Sequence, residues 1–358
     1  MRLWPFVLVV AACGPRSSDR ATGTIREDPS GLVATERSSR GGRLVTVRED
    51  GARFRELLPL PKSELVVDRN PVFHPSGDWV FFASNRETKS LETSDLWAVP
   101  YRGGTPVRLT HGPGSTRDPR VSKDGAWLYF SSDRNGSFDL FRAPLRLEGA
   151  GPRLGAAERL TRSEQQELSP SLSPDETALV YMQVDAQGAS RIVRLDIESG
   201  ETRDLSEGPA DLTPAWGPTG RIAFSRVAEG RQDHNLYLMS EDGSEPSLVV
   251  DAYWADVTGP RWSGDGRYLF AIGVYRSAVQ GRPVLGSVVF VDLKETPWTI
   301  RALHDQAGPE SRIGLALRPG LLNESQLGGA PEYLKSLKRV LRTEIIRRKS
   351  ENKAPAAQ

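Results

Sequence analysis

The chain has 358 residues, 38% of them hydrophobic, enough to bury one large core or two smaller ones. With 47 Lys and Arg against 46 Asp and Glu it carries a net charge of +1. That balance excludes a global attraction to polyanions, so no nucleic-acid partner is expected.

The chain begins "MRLWPFVLVVAAC": one Arg, an apolar run, then small residues before Cys13. This is the order of a secretory signal, and the run is too short to cross a bilayer. Val10-Ala11-Ala12-Cys13 resembles the bacterial lipobox. The resemblance implies a lipoprotein signal peptide over 1–12, removed before Cys13 is lipidated. By resemblance to enterobacterial sorting, Gly14 after the cysteine implies the outer membrane, with the protein facing the periplasm. Cys13 is the only cysteine. An internal disulfide is therefore impossible, and no catalytic thiol is expected in the folded domain. Residues 13–30 hold too few apolar groups to offset their ordering entropy and read as a flexible tether.

A repeat follows. Pro71, Pro119, Pro170, Pro214 and Pro260 stand 48, 51, 44 and 46 residues apart. Two residues after each proline comes an apolar column: Phe73, Val121, Leu172, Trp216 and Trp262. Gly77, Gly125, Glu176, Gly220 and Gly266 follow four places later, and Asp124, Asp175 and Asp265 precede that position. Asp-Gly between apolar runs predicts a tight hairpin of the type I′ kind. Large apolar residues then alternate, as in Trp79 and Phe81 or Trp127 and Tyr129, which predicts a strand with one face buried. Third strands ("DLWAVPY", "FDLFRAPL") and fourth strands ("PVRLT", "AERLT") complete each unit. Four short strands in about 46 residues are the signature of a propeller blade. The lone strand in "RIGLALRPG" at 312–320 and three N-terminal strands in "GLVATER", "RLVTVRED" and "RFRELL" predict a sixth blade closed by both ends of the domain.

"SPSLSPDE", "DPRVSKDGAWLYFSSDRNGSFDLF" and "GPRWSGDGRYLF" resemble the WD-like repeat of TolB-type six-bladed propellers, over about residues 31–320. The resemblance implies an all-β six-bladed β-propeller. It covers only the propeller of TolB, whose family also carries an N-terminal α/β domain.

Arg37, Arg86 and Arg134 occupy equivalent turn positions. They either form a rim that grips a carboxylate or acidic peptide, or stack on neighbouring blades beside Asp and Asn turn caps. The stretch Asp133–Asp139 lacks the terminal acid of an EF-hand, and the four histidines show no metal spacing. No nucleophile elbow, P-loop, dinucleotide fingerprint or zinc-protease motif is found, so no cofactor, no metal and no enzymatic activity are expected.

After Pro331, residues 331–350 predict a short amphipathic α-helix, with Leu334, Leu337, Leu341 and Ile345 on one stripe and a basic face. Arg339, Arg342, Arg347 and Arg348 are candidate contacts to an anionic membrane or acidic partner, or else form a solvated face. Residues 351–358 read as a disordered tail. The expectation is a monomeric, lipid-anchored envelope scaffold that binds an unidentified protein or peptide. The alternative is a hydrolase or lyase sited in the propeller channel.

Overall fold

The computed structural model describes residues 32–38, 41–47, 54–60, 65–88, 90–149, 151–208, 210–227, 233–250, 255–276, 283–294, 298, 300–302 and 312–317. These all lie in the first of two compact units, Met1–Leu321. The leader, Cys13, the tether, the expected C-terminal helix with its four arginines, and the tail lie outside the described residues.

The described part is all β. The chain runs β1 (Leu32–Ser38), β2 (Gly41–Val47), β3 (Phe54–Glu56), β4 (Val66–Phe73), β5 (Trp79–Ser84), β6 (Asp95–Pro100), β7 (Val107–Arg108), β8 (Thr116–Val121), β9 (Trp127–Ser132), β10 (Asp139–Glu148), β11 (Gly151–Leu154) and β12 (Glu158–Arg159). It continues through β13 (Gln166–Leu172), β14 (Ala178–Val184), β15 (Ser190–Asp196), β16 (Thr202–Asp204), β17 (Asp211–Trp216), β18 (Ile222–Val227), β19 (His234–Met239) and β20 (Ser247–Val250). Last come β21 (Ala255–Trp262), β22 (Tyr268–Arg276), β23 (Pro283–Asp292), β24 (Ile300–Ala302) and β25 (Arg312–Leu317).

Three four-stranded meanders, β13–β16, β17–β20 and β21–β24, match the repeat. A fourth sheet, ordered β11-β10-β9-β8 with β12 on β10, gains the extra strand β11 from the insertion at Gly151. The fifth sheet has eight strands, ordered β25-β1-β2-β4-β5-β6-β7 with β3 on β2. Five sheets therefore stand where six separate blades were expected. The strands assigned to the sixth share a sheet with those of the first, through the short parallel pairing Gly41↔Val66 and Gly42↔Val67. Glycine makes this approach possible: a Cβ on Gly42 would lie 3.1 Å from Val67 Cγ1 and 3.3 Å from the Asp68 carbonyl. At the far side of that sheet β25 pairs antiparallel with β1, Leu32 opposite Leu317.

Packing corrects the one-face reading of the second strands. Val80, Phe81, Phe82 and Ala83 are all fully buried, because the sheet is covered on both faces. Phe81 and Ala83 pack with Leu128, Phe130 and Phe141 of the following sheet. Val80 and Phe82 pack with Val33, Leu44 and Leu57 on the other side.

The Asp-Gly turns also differ from the expected hairpin type. Gly125 N–H donates to the Ser122 carbonyl at 3.0 Å, and only the glycine has positive φ (74°). That is a four-residue turn closed by a left-handed glycine, not a type I′ turn. Asp124 caps it, accepting from Ser122 Oγ at 2.5 Å and Ala126 N–H at 2.9 Å. These two bonds hold its carboxyl below the usual range.

Candidate functional site

Each repeat proline marks an irregularity in its first strand. The register shifts between Arg69 and Val72, Arg117 and Arg120, Leu168 and Ser171, Leu212 and Ala215, and Thr258 and Arg261. In each bulge the residue before the proline takes positive φ: Asn70 (54°), Asp118 (57°), Ser169 (54°), Thr213 (48°) and Gly259 (66°). Four of these are not glycine, at roughly 1–3 kcal/mol of strain each, which persists only where the surroundings fix it. Hydrogen bonds between neighbouring sheets do so. Asn70 Nδ2 donates to Asp118 Oδ1 at 2.7 Å, and Ser169 N–H donates to Asp118 Oδ2 at 3.1 Å. Gly259 N–H donates to Thr213 Oγ1 at 3.2 Å.

The bulges set the next residues around a cavity of about 280 Å³. Each of the five sheets contributes one strand, β4, β8, β13, β17 or β21, so the cavity lies where those strands converge. The residues directly after the prolines line it: Val72, Arg120, Ser171, Ala215 and Arg261. So does the apolar column Phe73, Val121, Leu172, Trp216 and Trp262. The two tryptophans are held in place. Trp216 Nε1 donates to the Gly220 carbonyl at 3.1 Å, and Trp262 Nε1 donates to the Ala215 carbonyl at 2.9 Å.

The lining is mixed in character, with two cations among aromatic and aliphatic walls. Arg120 and Arg261 are 7% and 3% exposed. Burial lowers Arg120 to about 10. Burial first, and then the charge of Arg120, lower Arg261 well below the usual arginine value. Lys123 and Glu176 also line the cavity, and the Lys123 N–H donates to Glu176 Oε1 at 2.6 Å. Partial burial pushes the Glu176 carboxyl up.

Of the arginines singled out from the sequence, Arg86 and Arg134 do not line this cavity. Arg86 is buried and bidentate on Asp68, with Nε at 3.0 Å and Nη2 at 2.7 Å from its two oxygens. Arg134 donates from Nε to Ser132 Oγ at 3.1 Å and lies 4.9 Å over the Phe141 ring. Arg37 sits in β1 opposite Gly42. Among the described residues no group of three or more His, Cys, Asp or Glu is placed to hold a metal. Sequence reasoning missed Arg120 and Arg261, although the signal was present. "DPRVS" and "GPRWS" put Arg in a column otherwise filled by Val72, Ser171 and Ala215.

Residues 62–266 match the family model described as the TolB beta propeller domain. The fold is similar to that of TolB from Acinetobacter baumannii, with a TM-score of 0.62 at 15% identity over 82% of this chain and 67% of that one. A putative TolB from Agrobacterium tumefaciens gives a TM-score of 0.57 at 18% identity, over 81% of this chain and 98% of that one. In sequence, a TolB homolog of Chlorobium luteolum is 27% identical over 147 residues, 41% of this chain and 31% of the relative. An uncharacterized protein of Agrobacterium fabrum is 30% identical over 137 residues, 35% of this chain and 44% of the relative. The chain spans less than half the length of the curated relatives it matches.

Proposed function

We propose, since this chain belongs to the TolB β-propeller domain family, that it is a binding scaffold of the bacterial cell envelope, holding a peptide segment of a partner protein in its central cavity. The observation that carries this is the mixed lining of that cavity. Phe73, Leu172, Trp216 and Trp262 offer apolar walls for side chains, and Arg120, Ser171 and Arg261 offer polar groups beside them. A site of this composition suits an extended peptide, which presents both kinds of surface within a few ångströms.

In this reading the eight-stranded sheet acts as two blades of a six-bladed propeller. In support, two antiparallel sets, β25-β1-β2-β3 and β4–β7, meet through only two parallel residue pairs at Gly41 and Gly42. The protein works as a monomer, anchored through lipid on Cys13 at the periplasmic side of the outer membrane. Its basic C-terminal segment is turned to the membrane or an acidic partner.

A photoreactive residue at Leu172 tests the scaffold in living cells, with one at Arg203 in the exposed strand β16 as control. A discrete protein adduct from Leu172 and none from Arg203 is expected. Equal adducts from both positions, or none from Leu172, overturn it. A fatty-acid probe should label the wild type and not Cys13→Ser; an unlabelled wild type removes the anchor. A second reading has one observation in its favour, the raised carboxyl of Glu176 in the cavity. Turnover of an envelope peptide or polysaccharide by the purified protein, lost in Glu176→Gln, would replace the scaffold with a channel-sited hydrolase or lyase.

A further inference from the structure

We infer that Arg120 and Arg261 form an anion subsite that takes a carboxylate of the cavity's occupant; the inference rests on the peptide-binding reading and gives that peptide its chemistry.

The two arginines are set in the same way. Each follows the proline of its bulge, and each donates from Nη1 to the carbonyl of that proline, at 2.6 Å for Arg120 and 2.8 Å for Arg261. This local bond fixes each guanidinium plane. It leaves Nη2 of Arg120, and Nε and Nη2 of Arg261, buried with no hydrogen-bond partner in the protein. Buried polar groups are otherwise almost always paired, and buried charges more so. Both residues with these unpaired nitrogens line the cavity.

The blade does not require these arginines. The equivalent residues in three other copies are Val72, Ser171 and Ala215, which fill the same place without charge. Two cations have been placed where small neutral side chains suffice, close enough that Arg120 lowers the affinity of Arg261 for its proton. Arginine stays protonated at neutral pH even so.

The charge count selects the ligand. The carboxylate acting on both arginines is Asp118. It is already committed to Asn70 Nδ2 and the Ser169 N–H. Two guanidiniums and one carboxylate leave a net +1. At the cavity wall Lys123 and Glu176 offset each other. A monoanion therefore neutralises the site, whereas a phosphate dianion would exceed it and meet Asp118. A carboxylate also matches the planar fork of a guanidinium. The aromatic walls, Phe73, Trp216 and Trp262, then receive the carbon skeleton that carries the carboxylate.

The test uses the purified full chain and follows tryptophan fluorescence, since Trp216 and Trp262 line the site. The probes are N-acetylphenylalanine, its amide, the α-amide of N-acetylaspartic acid and inorganic phosphate. The wild type should bind N-acetylphenylalanine about tenfold or more tighter than the amide, the value of a charge-assisted hydrogen bond. The α-amide of N-acetylaspartic acid separates a side-chain carboxylate from a chain terminus: whichever acid binds more tightly names the source. Arg120→Gln and Arg261→Gln should each reduce the acid-to-amide ratio toward one while the circular dichroism is unchanged. Arg120→Lys, which keeps charge and loses the fork, should fall between. Equal binding of acid and amide, tighter binding of phosphate, no binding of any probe, or a ratio unchanged in both variants overturns the inference. The cross-link from Leu172 does not depend on probe charge, so the scaffold stands or falls separately.

Discussion

The strands that carry the repeat prolines treat charge in opposite ways at their two ends. Three residues before the repeat prolines stand Asp68, Thr116, Glu167, Asp211 and Val257, all buried. Where this column is acidic, the second strand or the turn after it supplies a partner. Arg86 is bidentate on Asp68, and Arg226 reaches the two oxygens of Asp211 at 2.6 and 2.8 Å. Gln183 Nε2 donates to Glu167 Oε1 at 3.3 Å. Thr116 faces Ser132, their hydroxyls 3.3 Å apart. One residue past the same prolines, Arg120 and Arg261 find only their own prolyl carbonyls. The same residue type is thus structural at one end, where a partner comes with it, and ligand-seeking at the other, where none does. Partnering, rather than burial or charge alone, separates the two roles.

The largest expected effect breaks the paired end. Arg86→Ala leaves Asp68, whose side chain is fully buried, without its cation. Removing one member of a buried pair costs about 3–5 kcal/mol. Urea unfolding should show a loss of that size. A loss within the ordinary range of surface substitutions, about 0.5 kcal/mol, would mean that the pair does not anchor the strand.

The unpaired end should respond with the opposite sign. Arg261→Met replaces an uncompensated buried cation with an apolar side chain of similar length. Replacing even a paired buried charge with apolar residues often stabilises by about 1–4 kcal/mol, and an unpaired one has less to lose. The melting temperature of the unliganded protein should rise, and a saturating carboxylate should narrow the gap by stabilising the wild type alone. A variant that melts below the wild type would show that Arg261 has a structural partner and would dissolve the contrast.

Much of the architecture was legible because the repeat is written in residues whose chemistry is local. The prolines fix the bulges, the glycines close the turns, and the apolar column after Pro71, Pro119, Pro170, Pro214 and Pro260 reappears as the wall of the cavity. The alternation at Trp79–Ser84 carried less than it promised, because both faces of β5 are buried and every position is held to an apolar or small residue. The merging of two strand sets at Gly41 and Gly42 was not legible, since it depends on a backbone approach that no periodicity records. The site was half legible. An arginine in a turn draws the eye as an exposed cation, yet Arg86 and Arg134 are occupied by Asp68 and Phe141. The arginines of the cavity sit inside strands, where only comparison of equivalent columns marks them as out of place.

The smallest effect sharpens the comparison within one turn. Ser122 Oγ bonds Asp124, Ser173 Oγ bonds Asp175 and Ser263 Oγ bonds Asp265. In the first copy the two places hold His74 and Ser76, with His74 Nδ1 3.0 Å from Ser76 Oγ and accepting the Ser76 N–H at 3.1 Å. Burial lowers the imidazole below its usual 6.5, so the folded chain holds it neutral. The folded state then binds fewer protons than the unfolded one just below that pH. Stability from this group is present above about 6.5 and lost as pH falls through the folded value. The double change His74→Ser with Ser76→Asp restores the pairing of the other copies. There the carboxyl is held low, so stability is present above about 3.8 and lost only as pH falls further. Comparing urea midpoints at about pH 7.5 and 5.5, the wild type should lose up to about 1 kcal/mol more than the double variant, the linkage limit for one imidazole over the interval below its usual pKa. Equal losses would show that the His74 turn and the Ser–Asp turns carry the same charge on folding.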